Sequence, residues 1–144
     1  MIIAAIVLGI LWLAGVFVES AATASGIVLT DPANLKVYDG YPIASALNGV
    51  KMWNPMPDQA SSYGMQFTFD KTLKVKGVEL VGAGDGTHDI QKAEIYDGEK
   101  LLGTFSPMST PTFTLPTPFT GKQIGILLYP NSKWQVQVKK VALS

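Results

Sequence analysis

Apolar side chains run from Met1 to Val18 without a charge, and Glu19 then opens a chain in which apolar and polar positions alternate in short stretches. The first pattern predicts a membrane-spanning helix over residues 1–19. At about 1.5 Å per residue, Ile2 to Val18 reaches roughly 26 Å, close to the ~30 Å hydrocarbon core. Ala5 and Gly9 form a small-xxx-small pair that would let two such helices pack closely. A cleaved secretory signal is the competing reading, because Ala22-Thr23-Ala24 has the small-x-small pattern of a cleavage site. No Lys or Arg precedes the apolar stretch, which favours a retained signal-anchor. The α-amine is the one positive charge ahead of the span, while Glu19 and Asp31 follow it. The positive-inside bias therefore predicts a single-pass protein whose C-terminal domain is extracytoplasmic, or lies on a virion or filament surface.

Residues 20–26 read as a short linker and 27–144 as one β-sandwich. Beyond the anchor no stretch keeps an i, i+3, i+4 apolar rhythm for three turns, and Gly, Pro, Ser and Thr interrupt the chain at short intervals. From Tyr63 to Phe69, Met65, Phe67 and Phe69 share one face while Gln66 and Thr68 share the other, as in a half-buried strand. Leu73 to Leu80 alternates again with a phase shift at Gly77, which predicts one long strand bent by a bulge. Further strands are predicted at Ile90–Tyr96, Lys100–Phe105, Thr112–Leu115, Gln123–Tyr129 and Trp134–Leu143, the last split by a phase change at Lys139-Lys140. Asp97-Gly98 signals a tight hairpin between the first two of these, with the positive φ values of a type I′ turn. Prolines 107, 111, 116 and 118 bracket Thr112–Leu115 and mark it as a protected edge strand, or as a surface where Met108 and Phe119 meet a neighbouring subunit. Short strands at this spacing predict an all-β, antiparallel jelly-roll sandwich.

Composition narrows the function classes. Lys plus Arg and Asp plus Glu are balanced at 11 each, so no field draws the chain to nucleic acid. There is no cysteine, which excludes disulfides and thiolate metal sites.

The order of pieces resembles the discoidin-like, galactose-binding-domain-like jelly roll. The resemblance rests on Ala46-Leu47-Asn48-Gly49 followed by Trp53, the strand Met65 to Asp70, and Val75-Lys-Gly-Val-Glu-Leu80. It continues through Ile90 to Gly98, Ile124 to Leu128 and Val138 to Leu143. It covers most of Ala44 to Leu143. It implies ligand loops at one end of a sandwich, with glycans, lipids or proteins as ligands and a structural calcium in many members. The terminal cysteine pair of the extracellular animal branch is missing, as is an obvious sugar-clamping Arg and aromatic set.

His88 is the single histidine, in the loop Asp85-Gly-Thr-His-Asp89, so any nucleophilic device would have to be built on it. Asp85, Asp89, Glu79 and Glu94 have no spacing that selects a glycosidase pair, and no catalytic constellation stands out. Asp85 and Asp89, with the carbonyls of Gly82 to Gly86, offer oxygen ligands to calcium; a wet, glycine-rich strand connection is the alternative. Sugar rings stack on exposed aromatic faces, which makes Tyr41, Trp53 and Tyr63 candidates for glycan contact beside His88. A solvent-facing Trp53 would favour glycan binding; a buried one, plugging the end of the sandwich, would favour a scaffold. Trp134, in alternation with Val136 and Val138, is expected in the core.

Two readings follow. In the first, the chain is a non-enzymatic, membrane-anchored structural subunit whose partners are the lipid bilayer and other subunits of a virion, filament or envelope complex. In the second, it is a membrane-tethered carbohydrate-binding module.

Overall fold

The computed structural model describes residues 26–144, and the predicted anchor over 1–19, with Ala5 and Gly9, lies outside them. Six strands follow in order: β1 Ile27–Thr30, β2 Tyr63–Gly82, β3 Ile90–Asp97, β4 Lys100–Phe105, β5 Thr112–Pro130 and β6 Val138–Leu143. One 3-10 turn, Ile43–Ala46, interrupts the long β1–β2 connection. All pairings between these strands are antiparallel. Among the described residues no helix is long and apolar enough to cross a membrane.

β2 and β5 are long because each serves two layers. Tyr63 to Thr68 pairs with Leu128 to Gln123, and Leu73 to Glu79 pairs with Gly121 to Thr112. Between these halves the ladder breaks, and Asp70, Lys71 and Thr72 are exposed at the bend. The first layer runs β1, β2, β5, β3, β4; the second is made of the other halves of β2 and β5 with β6 beside β2. Their inner faces meet in one core that includes Met65, Phe67, Leu80, Ile95, Ile124 and Val141, and Phe105 of β4 stacks on Phe113 of β5 at 5.0 Å.

The bent β2 and its Gly77 shift match the sequence pattern, since the register slips between Val75 and Gly77. The phase change at Lys139-Lys140 is also real, because Lys140 pairs with Val81 while Val138 pairs with Gly82, leaving Lys139 as the extra residue. The β3–β4 hairpin forms with Asp97 opposite Lys100, so its loop is Gly98-Glu99, one residue later than expected. Only Gly98 of that pair takes a positive φ, 60°, as in turns that place glycine first rather than in type I′.

Two expectations are corrected. Thr112–Leu115 and Gln123–Tyr129 are parts of one strand, whose Thr112–Gly121 half pairs with β2 alone and is an edge of the second layer, as its prolines predict. Thr114 pairs with Gly77 and Phe119 with Val75, so Leu115 to Pro118 loop out against the single residue Lys76. Pro116 and Pro118 lack an N–H where no ladder partner waits for one, while Leu115 and Phe119 are buried at either side of the excursion. Phe119 is therefore core and unavailable to a neighbouring subunit.

Candidate functional site

Four chain segments lie side by side across one end of the sandwich. Residues 36–41 run along 53–56, with Tyr38 N–H donating to Asn54 O at 3.0 Å, Asn54 N–H to Tyr41 O at 3.1 Å and Met56 N–H to Lys36 O at 2.9 Å. Trp53 and Val138 exchange backbone hydrogen bonds of 2.8 and 3.0 Å, which sets 53–56 against the approach to β6. Gln137 N–H donates to His88 O at 3.0 Å, adding the Gly84–Asp89 loop as the fourth segment.

The fourth segment is organised by its two aspartates. Asp89, 7% exposed, accepts from the N–H groups of Gly84 and Gly86. Asp85 accepts from the N–H groups of Thr87 and His88 at 2.8 Å each on one oxygen, and its other oxygen meets His88 Nδ1 at 2.7 Å. These bonds, the His88 N–H first, hold the Asp85 carboxyl well below the usual carboxylate range. Ser132 Oγ donates to Thr87 O at 2.6 Å, and the Asn131 side chain bridges Gly86 O and Asp89 N–H. Both carboxylates thus serve the loop's own donors, the arrangement expected of a hydrogen-bonded strand connection, and no cluster of three potential metal ligands occurs among the described residues.

The predicted glycan contacts separate into two groups. Trp53 is fully buried, edge-on to the 2%-exposed Tyr63 with ring centroids 6.3 Å apart. Burial, and then Asp58, push the Tyr63 hydroxyl above its ordinary pKa. Both rings plug the end of the sandwich, and neither offers a face to a ligand. Tyr41 is half-buried with the Lys51 ammonium 4.8 Å from its ring centroid. His88 is half-buried and sits 6.4 Å, centroid to centroid, from Trp134.

Trp134 is the missed residue. It is 42% exposed, although the apparent alternation with Val136 places it in the core. Gln135 and Val136 are both buried, so the parity that the alternation assumes is broken. The Ser132 hydroxyl accepts the Trp134 N–H at 3.1 Å and fixes a loop conformation there. The run Pro130-Asn-Ser-Lys133 just ahead of it, rich in turn formers, is the signal that marks the position as loop. Beside Trp134, Gln135 Nε2 donates to Asn54 Oδ1 at 3.2 Å, while Gln135 Oε1 and Trp53 Nε1 are buried without a protein partner.

Two open grooves, about 330 and 280 Å³, flank Thr68 and Phe69 near Gly26 and touch none of these residues. The end bearing Trp134 has chemistry without a deep cavity: an exposed indole, an imidazole, two lysines and the half-buried Asn54 amide. Such a surface stacks flat rings and hydrogen-bonds hydroxyls.

No family model and no curated protein matches the chain. Solved structures do. The fold is similar to the family 32 carbohydrate-binding module from C. perfringens NanJ in complex with galactose, with TM-score 0.68, 18% identity, and 85% of this chain and 96% of that one covered. CpGH89CBM32-5 from Clostridium perfringens, in complex with GalNAc-β-1,3-galactose, gives TM-score 0.69 at 11% identity over 86% and 99% of the chains. The family 32 module of Streptococcus pneumoniae EndoD gives TM-score 0.62 at 15% identity over 83% and 95%. The described residues therefore have the discoidin-like, galactose-binding-domain-like jelly roll that the order of motifs resembles.

Proposed function

We propose that this chain is a membrane-tethered carbohydrate-binding module, non-catalytic, whose ligand surface is the sandwich end formed by Trp134, His88, Asn54 and Tyr41. The observation that carries the reading is Trp134. A large apolar ring stands in solvent on a braced loop, with a histidine and amide groups around it, on a fold shared with modules whose structures hold galactose and GalNAc-β-1,3-galactose. The indole would stack the C–H face of a pyranose, and His88 and Asn54 would reach its hydroxyls. Residues 1–19 would supply the tether. The test is a glycan array probed with the full-length protein and its Trp134→Ala variant. Saturable binding lost in the variant supports the reading; an array silent for both proteins ends it.

The structural-subunit reading keeps one observation in its favour. Trp53, whose exposure would have pointed to ligand contact, is buried. Under that reading native mass spectrometry of the detergent-solubilised protein returns a fixed multimer or partner set.

A further inference from the structure

We propose that the ligand of this end is an acidic oligosaccharide, a chain of at least two sugars carrying uronate carboxylates, read at two separate stations; the proposal rests on the glycan-binding reading above. Two aromatic rings at this end, those of Trp134 and Tyr41, each have a lysine over them. Lys133 Nζ lies 5.6 Å from the centroid of Trp134, and Lys51 Nζ lies 4.8 Å from that of Tyr41. Among the described residues neither lysine makes a salt bridge; the ion pairs there are His88 with Asp85, Lys92 with Glu94 and Lys140 with Glu79. Both ammonium groups are thus available for a ligand.

The stations are too far apart for one ring. Tyr41 lies on the first of the four segments, and Trp134 lies on the turn that leads from β5 into the third and is hydrogen-bonded to the fourth through Ser132. With neighbouring chains about 4.8 Å apart, two or three spacings put roughly 10–14 Å between them. Between them the half-buried Asn54, held by the buried Gln135 through its Oδ1, offers an amide N–H₂ to hydroxyls.

The energetics favour a carboxylate at each station. A carboxylate is a directed hydrogen-bond acceptor for an ammonium, which the face of an aromatic ring is not. A uronate carboxylate pairs with the ammonium at each station while the sugar stacks on the ring beside it. The acidic side chains at this end are mostly committed: Asp85 to His88 and two N–H groups, Asp89 to the glycine N–H groups. Asp39, exposed in the turn between Tyr38 and Tyr41, and Asp58, exposed just after the second segment, oppose an anionic ligand.

The test measures binding of the full-length protein in detergent micelles to matched pairs of oligouronides and their carboxyl-reduced, neutral forms. The acidic member of at least one pair should bind about tenfold tighter at low salt, with the advantage shrinking as ionic strength rises. Lys133→Met and Lys51→Met should each remove part of that advantage, and Asp39→Asn should increase it. Equal binding of acidic and neutral members, abolished by Trp134→Ala, would overturn the acidic specificity while keeping the glycan site. Binding of neither member of any pair would overturn both.

Discussion

Trp53 and Trp134 lie on adjacent segments of one end of the sandwich and do opposite work. Trp53 is a fully buried plug against Tyr63, so Trp53→Ala should cost about 3–5 kcal/mol of stability, read as a large fall in Tm. Trp134→Ala removes a ring that solvent already reaches, and Tm should move by no more than about 0.5 kcal/mol equivalent while glycan binding is lost. On the outer face of β3 and β5, Glu94 Oε1 accepts from Tyr129 at 2.7 Å and Tyr96 at 3.0 Å. The Tyr129 hydroxyl first, then that of Tyr96 and the Lys92 ammonium, hold the Glu94 carboxyl below the usual range against its desolvation. The same hydrogen bonds raise both tyrosines. The folded state binds the Glu94 proton less tightly than the unfolded chain does. Its contribution is therefore complete above the ordinary glutamate value of about 4.3 and is lost as pH falls through the lower folded value. The tyrosines contribute below their ordinary value of about 10 and lose that contribution as pH rises through the raised one. Glu94→Gln should flatten both limbs of a Tm-against-pH profile, and an unchanged profile would show that the network does not couple to folding.

At the scale of elements, the sequence is most readable where alternation is strict. The Met65-Phe67-Phe69 face, the Gly77 slip and the Lys139 bulge all follow from period two and its interruptions, because one face of each strand is buried and register has no freedom. β1 leaves no such mark, since four residues make barely two inward positions, Ile27 and Leu29. The joined β5 is hidden for a different reason: prolines read as strand breakers, and only the partner strand reveals that they occupy an excursion where no donor is needed. The candidate site was less legible than the fold. His88 and Tyr41 could be placed in loops from their neighbours, whereas Trp134 depended on the burial of Gln135, a polar residue that nothing local assigns to the core. The interlock of the two layers gives an element-scale prediction. A Cβ on Gly103 of β4 would lie 2.6 Å from the Phe113 ring, which is itself stacked on Phe105. Gly103→Ala should destabilise by about 1–3 kcal/mol through displacement of that ring, measured by denaturant titration, and Gly103→Ala/Phe113→Leu should recover part of the loss.

For the whole molecule, the decisive relation is between the two ends of the sandwich. The Gly26 carbonyl accepts from Asp70 N–H at 3.0 Å, which places the start of the described chain at the bend of β2. Tyr63 and Gly82, the two ends of that strand, lie at the opposite end, beside the loops that carry Trp134 and His88. Six residues of β2 at about 3.3 Å each put roughly 20 Å between bend and ligand loops. On the proposed function, a tether entering at Gly26 would hold the grooves beside Phe69 toward the bilayer and turn the indole outward, with a linker of seven residues reaching at most about 25 Å. The core described above lies within residues 26–144, so a chain starting at Gly26 should unfold at the same Tm as the full-length protein and bind a soluble glycan with the same Kd. Only the full-length protein should float with vesicles. On a glycan-coated surface, vesicles bearing many copies should be retained far longer than the lone domain, because each added contact is intramolecular, and avidity exceeds single-site affinity by about 10²–10⁴. Were the loop end instead turned to the bilayer, the truncated domain would bind glycan while the vesicle-bound protein would not. Comparing the two forms on one surface therefore distinguishes an outward-facing binding module from one that its own membrane occludes.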